Sequence, residues 1–205
     1  NLTGYQNLPR GPQGLLWGFL GNFGDNTATD ILVDLVGKNY LEKNTDPRNR
    51  LFLSTVDAFN LKHATNTETQ KNYISGNIKT RREILKDFKW IQASARQLTE
   101  STPTLIEEIE WFFSTKELSD IIYGLETREI YINSGLAAKH NWYRAGYKGG
   151  SEVGVFQYTH LVQKTRSSPN YVVSVTVNNP EKGLNTEKFT EITSRLISLT
   201  KNEKI

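Results

Sequence analysis

The 205-residue chain contains no cysteine, which excludes disulfides, thiolate metal sites and cysteine nucleophiles outright. No apolar run approaches the length of a membrane span, and the first residues, Asn1-Leu2-Thr3-Gly4, show none of the regions of a signal peptide. An excess of one charge is also missing. Lys and Arg number 25 against 22 Asp and Glu, a net charge of +3 with a pI near 9.0, which is too mild to argue for nucleic acid. Histidine is scarce: His63, His140 and His160 stand alone without metal-ligand spacing, so packing or surface roles are expected for them. No glycine-rich phosphate loop follows a strand, and there is no internal repeat or low-complexity segment. The sequence therefore suggests no metal, no cofactor, no nucleic acid and no membrane span.

What is present fits a soluble globular protein, with 37% hydrophobic and 23% charged residues, long enough to bury a core without covalent staples. Residues 1–14 read as irregular, and Leu15 to Phe23 as a short buried helix broken at Gly24. Asp25-Asn26-Thr27 can cap a helix with the stripe Ala28, Ile31, Leu32, Leu35 and Val36, which Gly37 stops. Residues 38–50 are polar and read as a loop. Ser54 caps a helix over Thr55 to His63 with the stripe Val56, Phe59 and Leu61, and residues 64–78 read as exposed and weakly patterned. A helix is expected from Thr80 to Leu98 on the stripe Ile84, Leu85, Phe88, Ile91 and Ala95, with Lys79, Arg81, Arg82, Lys86 and Lys89 on a solvated outer face. Leu105 to Phe113 and Lys116 to Leu125 read as two further helices, the second announced by Ser114, Thr115 and Glu117.

After a connection over 126–141 the period changes to that of strands: Trp142 to Tyr147, Val153 to Val162 and Asn170 to Val177. The short links, Ser167-Ser168-Pro169-Asn170 among them, imply an antiparallel meander. Asn179 to Gly183 forms a turn, and Glu187 to Leu199 a closing helix with Phe189, Ile192, Leu196 and Leu199 towards the sheet.

Between the first two strand runs lies Tyr147-Lys148-Gly149-Gly150-Ser151-Glu152-Val153-Gly154. Glycine within a strand pattern marks a place where something approaches the backbone closely. A cation followed by bare N–H groups suits an acyl compound bearing a carboxylate, the ammonium attracting the carboxylate and the N–H groups pairing with an amide or oxyanion. The plainer alternative is a hairpin bend with a solvated lysine.

Gly24-Asp25-Asn26-Thr27-Ala28-Thr29-Asp30, followed by Ile31-Leu32-Val33, resembles the Ser-Asp-Asn loop and following helix of class A β-lactamases and related penicillin-recognising serine hydrolases. Lys148-Gly149-Gly150-Ser151 resembles their Lys-Thr-Gly strand, Asn49 to Thr55 the segment entering the helix after the omega loop, and Glu110-Trp111-Phe112 a β-lactamase-like subfamily. The resemblance implies an α+β fold of the β-lactamase/transpeptidase type, a helical subdomain beside an antiparallel sheet flanked by helices, of which only the last three strands are expected here. Residues 1–125 would form the mainly helical subdomain with the Gly24-Asp25-Asn26 loop. Residues 126–205 would supply the strands and the final helix, the two forming one structural unit.

The resemblance also implies roles. Lys148 would hold the substrate carboxylate, the Ser151 N–H would be one oxyanion donor, Asn26 would bond the substrate amide carbonyl, and Asp25 would brace its loop; Gly24, Gly149 and Gly150 would line the binding site. Three departures stand against full catalysis. Gly24 replaces the proton-relaying serine of the loop, Gly149 replaces the carboxylate-binding threonine (for which the Ser151 hydroxyl is a substitute), and residues 37–50, whose carboxylates are Glu42 and Asp46, contain no Glu-x-x-Leu-Asn base. The nucleophile motif Ser-x-x-Lys is expected upstream of Gly24; its one instance, Ser198-Leu199-Thr200-Lys201, falls on the wrong side of both motifs. The expected function is thus a serine hydrolase of β-lactams or cell-wall peptides, periplasmic or secreted, its nucleophile on a missing N-terminal segment and the present chain inactive. The alternative is a non-catalytic binding protein of the same fold.

Overall fold

Helix α1 (Asn26–Val36) is the first element of the computed structural model, which describes residues 26–87, 93–94, 96–97, 102–125 and 134–201. The helix expected over Leu15 to Phe23, and Gly24 and Asp25, lie outside the described residues. Among the described residues follow α2 (Lys38–Asn44), α3 (Thr55–His63), α4 (Thr67–Ser75), α5 (Ile78–Asp87), α6 (Thr115–Leu125) and α7 (Thr186–Leu199). Strands β1 (Arg144–Glu152), β2 (Val155–Gln163) and β3 (Asn170–Asn178) precede α7 and form one antiparallel sheet in the order β1-β2-β3. The architecture is α+β. Among the described residues no helix is long and apolar enough to cross a membrane.

Local chemistry sets several boundaries where the sequence puts them. Ser54 and Asp57 cap α3 reciprocally, Ser54 Oγ accepting from the Asp57 N–H at 3.2 Å and Asp57 Oδ2 from the Ser54 N–H at 3.1 Å. Ser114 and Glu117 do the same for α6. Gly37, at φ 87°, ends α1. The Asn179 side chain accepts from the N–H groups of Glu181 and Lys182 and fixes the turn after β3.

Elsewhere the fold departs from the expectation. Residues 38–50 are not a loop: α2 and a 3₁₀ turn at Pro47–Asn49 occupy them. Because α2 buries no residue, it carries no apolar period. Residues 64–78 contain α4, capped by Asn66, and Tyr73 is its one buried residue. Arg81 is not merely solvated; it donates to the Tyr73 and Ile74 carbonyls at the end of α4 and lies over the Tyr73 ring. The long helix expected from Thr80 does not run unbroken to Leu98. Ala93 and Ser94 are non-helical, and Phe88, Lys89, Ile91, Ala95 and Leu98 lie outside the described residues.

Leu105 to Phe113 forms turns, not a helix. Its backbone is taken by other partners. The buried Asn49 side chain donates to the Phe112 carbonyl at 2.8 Å and accepts from the Phe112 N–H at 2.7 Å, and the Trp111 indole donates to the Leu53 carbonyl. This leaves Ile106 and Ile109 buried, and Ile109 joins the helical core of Leu53, Ala58, Leu61 and Tyr73.

Three helices also bury a different stripe from the one expected. In α1 the buried residues are Ala28, Leu32 and Val33, with Ile31 and Leu35 exposed. In α3, Ala58, Leu61 and Lys62 turn inwards and Val56 outwards. In α7 the sheet-facing line is Phe189, Thr193 and Ile197, whereas Ile192, Leu196 and Leu199 are exposed. Thr193 tolerates burial because its hydroxyl donates to the Phe189 carbonyl at 2.9 Å.

Strand β1 runs further than expected, through Lys148-Gly149-Gly150-Ser151, and the reversal falls on Val153-Gly154 with Gly154 at φ 89°. Alternation then gives the sheet two distinct faces. Tyr147 and Gly149 of β1 share one face with Phe156, Tyr158 and His160 of β2, and α7 covers it. Lys148, Gly150 and Glu152 share the other with Gln157, Thr159 and Ser174, and from it Glu152 reaches Lys62 of α3.

Candidate functional site

Two adjacent glycines in β1 have opposite surroundings. A Cβ on Gly149 would lie 2.3 Å from the Tyr147 hydroxyl and 2.9 Å from the Gln157 carbonyl oxygen, so what approaches this backbone is the protein itself. The Tyr147 hydroxyl fills the space a side chain at 149 would take. A Cβ on Gly150 would meet nothing within 4 Å. Lys148, on the same face as Gly150, is exposed as a residue, and its Nζ folds back to donate to the Gly149 carbonyl at 2.6 Å. Protein around the ammonium lowers its pKa by desolvation. As β1 is the edge of the described sheet, every second N–H along it has no strand partner among the described residues. This stretch can therefore offer a cation, an open backbone and unpaired N–H donors to a flat anionic ligand.

At the turn end of β1 lies a cleft of about 510 Å³. Phe59 and His63 of α3, Thr102 and Thr104, Ser151 to Gly154, Phe156, and Gly183, Leu184 and Thr186 line it. One of its lining residues, Glu152, belongs to a buried ionic triad. The Lys62 ammonium, with its side chain 1% exposed, donates to Glu110 Oε1 and, at 2.6 Å, to Glu152 Oε1. One cation faces two carboxyls here, and burial resolves the imbalance by keeping a proton. The pKa of Glu152 is raised to about 8, first by desolvation and then by the hydrogen bond and repulsion from Glu110, with Lys62 pulling the other way. His63, stacked on Phe59, has its pKa lowered by desolvation and by Lys62.

The helix that carries Lys62 is anchored at its start. The Asp30 carboxylate of α1 accepts from the Thr55 and Val56 N–H groups at 2.6 and 3.0 Å, a second cap on the first turn of the helix that carries Lys62. On the far face of the sheet His160 is fully buried. Its Nε2 accepts from the Leu136 N–H at 3.0 Å, Nδ1 has no partner among the described residues, and burial lowers its pKa to about 4. His160 packs against Tyr147 with ring centroids 4.8 Å apart. His140 is exposed, and among the described residues no group of three or more His, Asp or Glu could hold a metal ion.

Of the residues singled out from sequence, Lys148, Gly149, Gly150 and Ser151 lie in line on β1, and Ser151 alone of them lines the cleft. Asn26 is the exposed first residue of α1, and no hydrogen bond or ion pair joins it to Lys148. Gly24 and Asp25 lie outside the described residues. Sequence reasoning missed Lys62, Glu110, Glu152 and His63. The available signal was Lys62 itself, a cation four residues after Ala58 on the buried side of α3.

No protein-family model and no curated protein matches this chain by sequence. Among solved structures it is similar to a β-lactamase from Burkholderia vietnamiensis, with 15% sequence identity and a TM-score of 0.38. The match covers 93% of this chain and 64% of that one, so the chain spans less than two thirds of that protein's structure.

Proposed function

We propose that β1 binds a carboxylate-bearing acyl compound, a β-lactam or cell-wall peptide, as the ligand-holding part of a β-lactamase-like serine hydrolase. The observation that carries this reading is the open space over Gly150 beside Lys148 on an edge strand. In it, the Lys148 ammonium leaves the Gly149 carbonyl to hold the ligand carboxylate, a charge-assisted bond stronger than the one it replaces. The ligand lies flat over Gly150, and the Ser151 N–H faces the acyl oxygen. As an oxyanion donor such a group is worth about 10²–10³ in rate. The Tyr147 hydroxyl lies on the opposite face of β1, where it fills the space a threonine at 149 would take, so the carboxylate is held by Lys148 without that second donor. Asn26 contacts the ligand amide, Asp25 and Gly24 shape its loop, and the nucleophile comes from a segment outside these 205 residues. Such ligands put the protein in the periplasm or outside the cell.

Titration of the chain with benzylpenicillin, followed by amide chemical shifts, tests the binding step. We expect shifts along residues 148–151 and at least about tenfold weaker binding in Lys148→Ala. Equal affinity in the variant, or shifts confined to other elements, would sink the reading.

A second reading, a non-catalytic binder of the same ligands, is favoured by the departures at Gly24 and Gly149 and by the missing Glu-x-x-Leu-Asn. It predicts binding without turnover of a chromogenic cephalosporin in any longer form of the chain, and measurable turnover rules it out.

A further inference from the structure

The cleft at the β1–β2 turn is built differently from the strand edge. Its volume of about 510 Å³ is within the range of small-molecule sites, roughly 300–1,000 Å³. Phe59, Phe156 and Leu184 give it apolar surface, and Ser151, His63 and Glu152 give it hydrogen-bonding groups. Charge decides what it can hold. The titratable residues of its wall are His63 and Glu152, and the groups facing Glu152 from neighbouring elements are Lys62 of α3 and Glu110. Lys62 is occupied by both carboxyls and its side chain is 1% exposed, so it is not free to receive an anion. Desolvation favours the neutral form of both wall groups near neutral pH, so the wall offers neither ion a counter-charge.

We propose that this cleft is a second small-molecule site, independent of Lys148, that takes an uncharged ligand made of an apolar ring and a hydrogen-bonding amide or hydroxyl group. The ring packs between Phe59 and Phe156, and the polar group meets Ser151 and Glu152. An ionic ligand would be desolvated there without compensation and is rejected.

Benzamide, benzoate and benzamidine share a ring and differ in charge, so they form a direct probe. At pH 6.5, saturation-transfer and amide-shift titrations of the 205-residue chain should give benzamide a Kd on the order of 1 mM, ordinary for so small a ligand. Benzoate and benzamidine should bind the cleft at least about tenfold more weakly. Benzamide affinity should fall on raising the pH to 9.5 as Glu152 ionises, and should persist there in Glu152→Gln. Thr186→Trp, at an exposed residue of the cleft wall, should abolish benzamide binding, whereas Lys148→Ala should leave it unchanged.

Equal binding of the three probes in the cleft, or benzamide binding that survives Thr186→Trp, overturns the proposal. Loss of benzamide binding in Lys148→Ala overturns the independence of the two sites. Failure of benzylpenicillin to bind β1 would not touch this inference.

Discussion

The two faces of β1 solve the same problem, a strand that must sit beside buried ionisable groups, in opposite ways. On the side covered by α7, space is filled. Tyr147 presses on Gly149, Tyr158 stacks on Phe189 with centroids 5.4 Å apart, and His160 is buried as a neutral ring. On the side that carries Lys148 and Glu152, space is left open over Gly150, and charge is handled by pairing and by a retained proton. The difference shows that consecutive residues of identical type can have unrelated causes. Gly149 is required by packing, and Gly150 is spared by it.

The strongest break in this comparison comes at the triad. Lys62→Ala removes the cation from two buried carboxyls, and we expect a loss of about 3–5 kcal/mol in urea unfolding. A loss under about 1 kcal/mol would mean that the carboxyls are solvated and the open face is not closed at its end. Next is the crowded glycine. Gly149→Ala places a methyl 2.9 Å from the Gln157 backbone carbonyl, which cannot swing away as the Tyr147 hydroxyl can. The expected cost is about 1–3 kcal/mol.

Proton linkage separates the two faces by sign. The pKa of Glu152 rises on folding from 4.5 to about 8, so the folded chain binds the extra proton and stability falls as pH rises through that interval. The pKa of His160 falls from 6.5 to about 4, so its contribution is present above 6.5 and lost as pH drops towards 4. From pH 6.5 to 8 the wild type should lose stability relative to Glu152→Gln by about 1 kcal/mol per unit. Parallel curves for the two proteins would remove the retained proton. The smallest effect sharpens the contrast most: Gly150→Ala should change stability by no more than about 0.5 kcal/mol, because its methyl points into open space. A cost equal to that of Gly149→Ala would erase the distinction.

Legibility in the sequence followed distance along the chain. Ser54 caps α3 and Ser114 pairs with Glu117 as the letters suggest, and the structure adds Asp57, three residues after Ser54, as the reciprocal partner. The helix phases were harder. In α7 the apolar line Ile192, Leu196 and Leu199 outscores Phe189, Thr193 and Ile197 by hydrophobicity, yet Phe189 has aromatic partners on β2 and Thr193 satisfies its own hydroxyl. The polar helices α2 and α4 lacked any period to read. Within the candidate site, the pattern placed Lys148 to Ser151 between two strands and only the resemblance made them strand; their inclusion in β1 and the cleft beside them were not legible, because the cleft walls come from segments scattered between Phe59 and Thr186.

By itself the sequence determined the chemistry that is excluded, the caps at Ser54 and Ser114, and an antiparallel meander, since short polar links allow no other pairing of successive strands. The tertiary structure alone decided which stripe each helix buries, why the two glycines differ, and where the cations go. Lys62 finds its partners 48 and 90 residues away. Burial and charge neutralisation depend on what surrounds a group in space, and a linear pattern records only what precedes and follows it.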